Sequence, residues 1–399
     1  MDIRKNLKVL SHNRMFTGMG YYVTVPLLAV ILTNIKGIDV GTTGIIVAGF
    51  GLAAKGGSLI TFIFPRLLYR KKYIISFGTL LTSFGLFFSM FITNYYILGL
   101  LIIMSGLGIS LNLLGIQTYI SSNIRKEEGK LDNYTLQIWI ANITAVIGPI
   151  LGGYLIKSGM LIIFFISSIF YLLAFINTLI AFNEGVKTSD NIGNQNVGQI
   201  LKKCFNNRSL WAFLILVFFM WFIYSQLYFS VSLYVSKYLG ATKMVGYLMS
   251  LNAFILVVFQ GLVNRIIRPR IKVIKNIFFA ISIGFIFIGF GYILIMLGKQ
   301  LFILVFIGVS LLSLGELIIM PLFDYVISRF GNNISTVYYF SIYTIICGIG
   351  YGGSTYLFGN IFNESFQLKF VLLAILSLIA SILSIINWKL NEKKALNMA

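Results

Sequence analysis

Acidic side chains are scarce in this chain: 11 Asp and Glu among 399 residues, against 31 Lys and Arg. There is a single histidine, His12, and the two cysteines, Cys204 and Cys347, stand far apart. Neither cysteine has metal-ligand spacing, and a structural disulfide between them is not expected. No HExxH or nucleophile elbow is present, and no acids cluster at the membrane face. The chain is therefore not read as an enzyme, and neither a cofactor nor a metal is expected. Charged residues make up only 11% of the chain, where soluble domains carry about a quarter. There is no P-loop and no large polar domain, so ATP drive within the chain is not expected.

What the chain does have is apolar surface: 58% hydrophobic residues, 36 of them Phe. A soluble core could not hide that much, so the solvent must be lipid. Reading for apolar runs near 20 residues predicts twelve spans, at about 15–34, 42–64, 73–93, 95–120, 134–156, 160–182, 211–235, 245–264, 273–296, 301–327, 335–358 and 366–388. The class is an all-α integral membrane protein. The net charge of +20 would suggest nucleic acid in a soluble protein. Here the basic residues gather between apolar runs, as topology signals and contacts for anionic lipid heads, and no nucleic acid is expected.

Alternate loops carry the charge. Arg4, Lys5, Lys8 and Arg14 precede span 1; Arg66, Arg70, Lys71 and Lys72 follow span 2; Arg125, Lys126 and Lys130 follow span 4. Later loops and the tail continue the pattern, so 24 basic residues fall on one side and 6 on the other. The bias puts both termini in the cytoplasm of a cell, expected to be bacterial, with the chain multi-pass in the plasma membrane. No cleavable signal peptide is expected. The longest loop is polar and then basic. It divides the chain into a first half (1–182), a central cytoplasmic loop (183–209) and a second half (210–399). Two six-helix halves with a binding site between them at the midplane is a carrier architecture. A monomer is expected.

Several motifs carry a family resemblance. GPILGG in span 5 (Gly148, Pro149, Gly152 and Gly153 among its residues) combines a bend with close helix approach, as a gate would; generic small-residue packing is the alternative. With these residues the chain resembles the major facilitator superfamily over nearly its whole length, and GPILGG resembles the core of the motif of its drug:proton antiporters. That resemblance implies export, although the upstream glycines of the fuller motif are replaced by Thr144 and Ala145. The superfamily's loop 2–3 signature survives here only as Arg70, Lys71 and Lys72. Phe62, Arg66 and Tyr69 stand where it has glycine, aspartate and glycine. Span 4 keeps the SGLG core, Ser105–Gly108, but has Ile102 where many antiporters carry an arginine. GIGYGG, Gly348–Gly353, matches GxGxxG without the strand that motif needs. It reads as helix packing and as an echo of GPILGG in the second half.

Span 10 reads LGELIIMP over Leu314–Pro321 and resembles a Gly-Glu followed by proline found in some drug exporters and proton-coupled peptide carriers. An ionised carboxylate there costs several kcal/mol unless paired, hydrated or protonated. Glu316 is thus the leading proton-coupling residue, with Asp324 eight positions on, about 12 Å along the axis. Lys55, inside span 2, has three readings: a static pair with Glu316, a site for an anionic group of the substrate, or a group that itself changes protonation. Tyr21, Tyr22, Asn112, Tyr224, Gln226 and Asn252 are candidate cavity residues, interhelical hydrogen bonding being the commoner fate of such groups. The expected function is proton-coupled efflux of a small amphiphilic or cationic compound by alternating access. An importer or uniporter without proton coupling, or a lipid flippase of the same fold, is the alternative. The expected partners are the small-molecule substrate, protons and membrane lipids.

Overall fold

The computed structural model describes residues 3–59, 70–124, 127–183, 202, 204–267, 274–330, 336–360 and 365–395. Phe62, Arg66, Tyr69, Arg125, Lys126 and most of the central loop lie outside the described residues.

Among the described residues, twelve long helical segments follow one another. The first half contains α1 (Ile3–Ile35), α2 (Val40–Gly56), α3 (Lys71–Ser89), α4 (Tyr95–Asn123), α5 (Glu127–Leu155) and α6 (Met160–Ala181). The second contains α7 (Arg208–Tyr238), α8 (Thr242–Ile267), α9 (Ile274–Met296), α10 (Ile303–Ser328), α11 (Thr336–Asn360) and α12 (Phe366–Ala395). Ten of these are long and apolar enough to cross a membrane, and α2 is a shorter apolar helix. In lipid a spanning backbone must satisfy its own polar groups, which a helix does. Phe77, Phe84, Ile180, Phe290 and Ile382 point outward and are exposed, as suits a lipid-facing surface.

α1 starts twelve residues before the predicted span. Asn6 and Asn13 interrupt the apolar run, yet both are buried. Asn6 Nδ2 donates to the Tyr119 hydroxyl at 2.8 Å, and Asn13 Nδ2 donates to Thr178 Oγ1 at 2.9 Å. Polar side chains satisfied by neighbouring helices remove the cost that run-counting assumes.

The packing order repeats. In the first half α1 packs on α5 and α6, α3 on α4 and α6, and α2 on α4. In the second, α7 packs on α11 and α12, α9 on α10 and α12, and α8 on α10. Adding six to each label converts one set into the other. Small residues let the paired helices close: Gly78 meets Gly108 across α3 and α4, as Gly291 meets Gly308 across α9 and α10. Each half also breaks its first helix in the same region. α1 passes through a 3₁₀ segment at Val25–Leu27, containing Pro26, and a π segment at Ile31–Ile35. α7 has π segments at Leu227–Val231 and Tyr234–Tyr238.

The halves meet chiefly through two helix pairs, α2 with α11 and α5 with α8, with lighter contact of α1 against α7 and α8. α1 begins at one end of the bundle, here the near end, and turns into α2 at the far end. The hydrogen bond from Asn34 Nδ2 to Ser236 Oγ, 2.6 Å, joins the halves at the far end. Gly41 against Asn360 and Gly44 against Gly359 close α2 on α11 there.

Candidate functional site

Three helices of the second half build a polar cluster around Glu316. Glu316 on α10 accepts two hydrogen bonds at one carboxylate oxygen, from the Tyr224 hydroxyl of α7 at 2.6 Å and from Asn252 Nδ2 of α8 at 3.0 Å. Asn252 Nδ2 also lies 3.0 Å from Ser313 Oγ, one turn before Glu316. Tyr224 and Asn252 are buried. Two neutral donors lower the cost of a carboxylate in this setting without fixing it in a permanent ion pair.

Lys55 does not contact Glu316. Its ammonium sits 4.2 Å from the centre of the Trp221 ring, a cation–π arrangement, and the described residues contain no ion pair between it and an acid. Lys55 remains within electrostatic range of both Glu316 and Asp324. Asp324 lies nearer the near end of α10, beside Tyr343 of α11, and is exposed.

A cavity of about 290 Å³ opens on the near side of the helix contacts between the halves. Its lining joins Arg14, Tyr21 and Tyr22 of α1, Lys55 of α2, Asn112 of α4 and Tyr171 of α6, with Thr344 of α11 from the other half. Tyr21 and Tyr22 meet edge to face at 5.0 Å. Asn112 Nδ2 donates to Asn13 Oδ1 at 3.0 Å, tying α4 to α1. Of the six residues predicted for the cavity, Tyr21, Tyr22 and Asn112 line it. Tyr224 and Asn252 hold Glu316 instead. Gln226 is fully buried and donates through Nε2 to Ser354 Oγ at 2.6 Å, joining α7 to α11.

Arg14 was counted with the loop charges and proves to be a cavity residue. The signal was present in the sequence: Arg14, Thr17, Gly18 and Tyr21 recur at one face of a helix, and all four line the cavity.

GPILGG sits where the halves touch. A side chain at Gly148 would meet Tyr22 and one at Gly152 would meet Val23, both on α1. Gly153 and the Pro149 carbonyl face Gly246 of α8. On the residues that directly follow Gly153 and Gly246, the hydroxyls of Tyr154 and Tyr247 are 2.6 Å apart. In α11, Gly350 packs against α7 while Gly348 and Gly352 pack against α2. Those are the same two relations transposed by six helices. In the SGLG segment, Gly106 abuts Phe50 of α2 and Gly108 abuts Gly78 of α3.

The Major Facilitator Superfamily model matches residues 13–355. Among solved structures, the nucleoside transporter NupG is similar with a TM-score of 0.74 and 14% identity, over 98% of this chain and 100% of that one. The peptide transporter POT in complex with sulfate is similar with a TM-score of 0.78 and 13% identity, over 95% and 93%. A POT family transporter in complex with 5-aminolevulinic acid is similar with a TM-score of 0.77 and 15% identity, over 95% of each chain. None of the curated proteins compared matches the chain in sequence.

Proposed function

The chain belongs to the Major Facilitator Superfamily, and on that premise we propose that it is a secondary active transporter that couples movement of a small organic solute to a proton carried by Glu316. The observation that carries this reading is the carboxylate network of Glu316, Tyr224 and Asn252, three helices converging on one acid inside an apolar bundle. A proton there removes a charge, weakens the two charge-assisted hydrogen bonds to Glu316 and adds an O–H that needs an acceptor of its own. That is a local event able to bias the relative stability of two packings of the halves. The near end corresponds to the cytoplasm by the charge bias of the loops. Contacts between the halves at the far end, with the cavity on the near side, then describe an inward-facing state of an alternating-access cycle.

Export is the direction implied by GPILGG, which occupies the α1–α5–α8 contact. The cationic cargo expected from the sequence is not carried forward, because the cavity presents Arg14 and Lys55 and, among the described residues, no acid in its lining. Inward co-transport is the second reading, and one observation favours it. Glu316 is not part of the cavity lining, so a proton and a solute need not compete for one group, whereas exchange is simplest where they do.

The test is transport in proteoliposomes under pH gradients of either sign, with solute movement and internal pH followed together. Solute driven against its gradient by a proton gradient, and lost in Glu316→Gln, is the expected result. Proton flux opposite to solute assigns export by exchange; flux in the same direction assigns co-transport. Gradient-driven transport unchanged by Glu316→Gln would sink the proton-carrier role.

A further inference from the structure

Arg14 and Lys55 present two cationic groups to one cavity, and the described residues offer neither side chain an ion-pair partner. Among the described residues, no Asp or Glu lines that cavity. The structure pays for two partly buried cations, each costly in such a setting, and leaves their charge facing the same space. Lys55 is held over the Trp221 face at 4.2 Å, which positions the ammonium without neutralising it. The Trp221 Nε1–H is itself buried with no acceptor. The lining also holds three aromatic side chains, Tyr21, Tyr22 and Tyr171.

We propose that Arg14 and Lys55 form an anion-recognition site, and that its occupant is a small organic anion whose carboxylate or phosphate head lies between the two cations while an apolar body rests on the tyrosines. The guanidinium supplies a planar fork suited to either head group, and the ammonium supplies a point charge. The apolar wall selects against inorganic ions, which gain nothing from it. A volume of about 290 Å³ is at the lower end of small-molecule sites, which fits a metabolite-sized ligand and leaves no room for a diacyl lipid. That this occupant is the transported solute rests on the carrier reading; the binding itself does not.

The experiment is a binding titration of the purified full chain in detergent, read by Trp fluorescence and by thermal unfolding. The probes are benzoate, phenyl phosphate, inorganic phosphate, benzamide and benzylammonium. Benzoate, phenyl phosphate or both should raise the unfolding temperature and change the emission, and Trp221→Phe should remove most of the emission change. Benzamide and benzylammonium should do neither. Arg14→Gln and Lys55→Gln should each weaken anion binding at least tenfold. Lys55→Arg, which keeps the charge, should retain it and shows that the substituted cavity still folds. Benzylammonium binding as well as benzoate would overturn the proposal, as would anion binding unaffected in the Arg14→Gln, Lys55→Gln double variant. Inorganic phosphate binding as tightly as phenyl phosphate would overturn its organic part. Because no proton gradient is involved, a failure here is separable from a failure of the coupling role of Glu316.

Discussion

Glu316 shows how much one residue decides. Replaced by Gln, it keeps an oxygen for the Tyr224 hydroxyl and Asn252 amide. Replaced by Leu, it leaves both buried donors without that acceptor, at a cost of about 1–3 kcal/mol for an unmet group. Glu316→Leu should therefore unfold at a lower temperature than Glu316→Gln in the same detergent; equal melting would show that the two donors find other partners. Asp39 makes a second case, outside the membrane. It caps α2, its Oδ1 accepting from Thr42 N at 2.9 Å, and the Thr42 side chain and backbone N–H hold its carboxyl below the usual range. A lowered carboxyl pKa stabilises the fold above the ordinary value and loses that contribution as pH falls through the lowered one. Asp39→Ala should cost about 0.5–2 kcal/mol at neutral pH. The gap between variant and parent in thermal unfolding should narrow under acid. The acid at 316 was visible in the sequence because an apolar run makes any charge conspicuous. Arg14 carried a signal only through its helical spacing to Thr17, Gly18 and Tyr21, because it stands at the edge of such a run, where a topology signal and a cavity residue look alike. Gln226 was legible as polar but not as a bond to Ser354, since that pairing spans α7 and α11 and no local pattern encodes it.

Among the elements, α5 and α8 bear on each other most tightly at Gly246, where an added side chain would run into the Pro149 carbonyl. Gly246→Val should hold this pair apart. Spin labels at Ile35 and Tyr238, both exposed at the far end, should then show a longer distance than in the parent, and transport should fall at least tenfold. An unchanged distance would mean that the α5–α8 contact does not set the closure. The twelve elements were readable from apolar runs because lipid leaves helices as the only option for a non-barrel chain. Their ends were not. Asn6 in α1 and Glu127 in α5 lie in helix that continues beyond the apolar stretch, and polarity alone cannot tell a helix that continues from a loop.

For the molecule as a whole, the transposition of contacts by six helices predicts that both seams between the halves open together. A covalent tie across either one should then stop the cycle. Gly41→Cys with Asn360→Cys links α2 to α11 at the far end, where Gly41 lies against the Asn360 amide. In a background with Cys204 and Cys347 replaced, oxidation should abolish transport and reduction should restore it. Transport that survives complete cross-linking would show that the α2–α11 seam stays shut throughout. The pairing of α2 with α11 and of α5 with α8 was not legible in the sequence, because helix order in the chain says nothing of which faces meet. GPILGG and GIGYGG marked the helices concerned, through their glycines, but not their partners.

Gly246, at the seam, and Asn252, at the acid, belong to the same helix, six residues and about 9 Å apart. The distance between acid and seal is thus bridged by a single stiff rod. Tilting that rod to free one end must shift the other, which makes α8 a lever rather than a wire. A break in the turn between them, as from a proline at Met249, would leave acid and seal chemically intact but mechanically independent. The carrier would then leak its solute downhill without moving a proton.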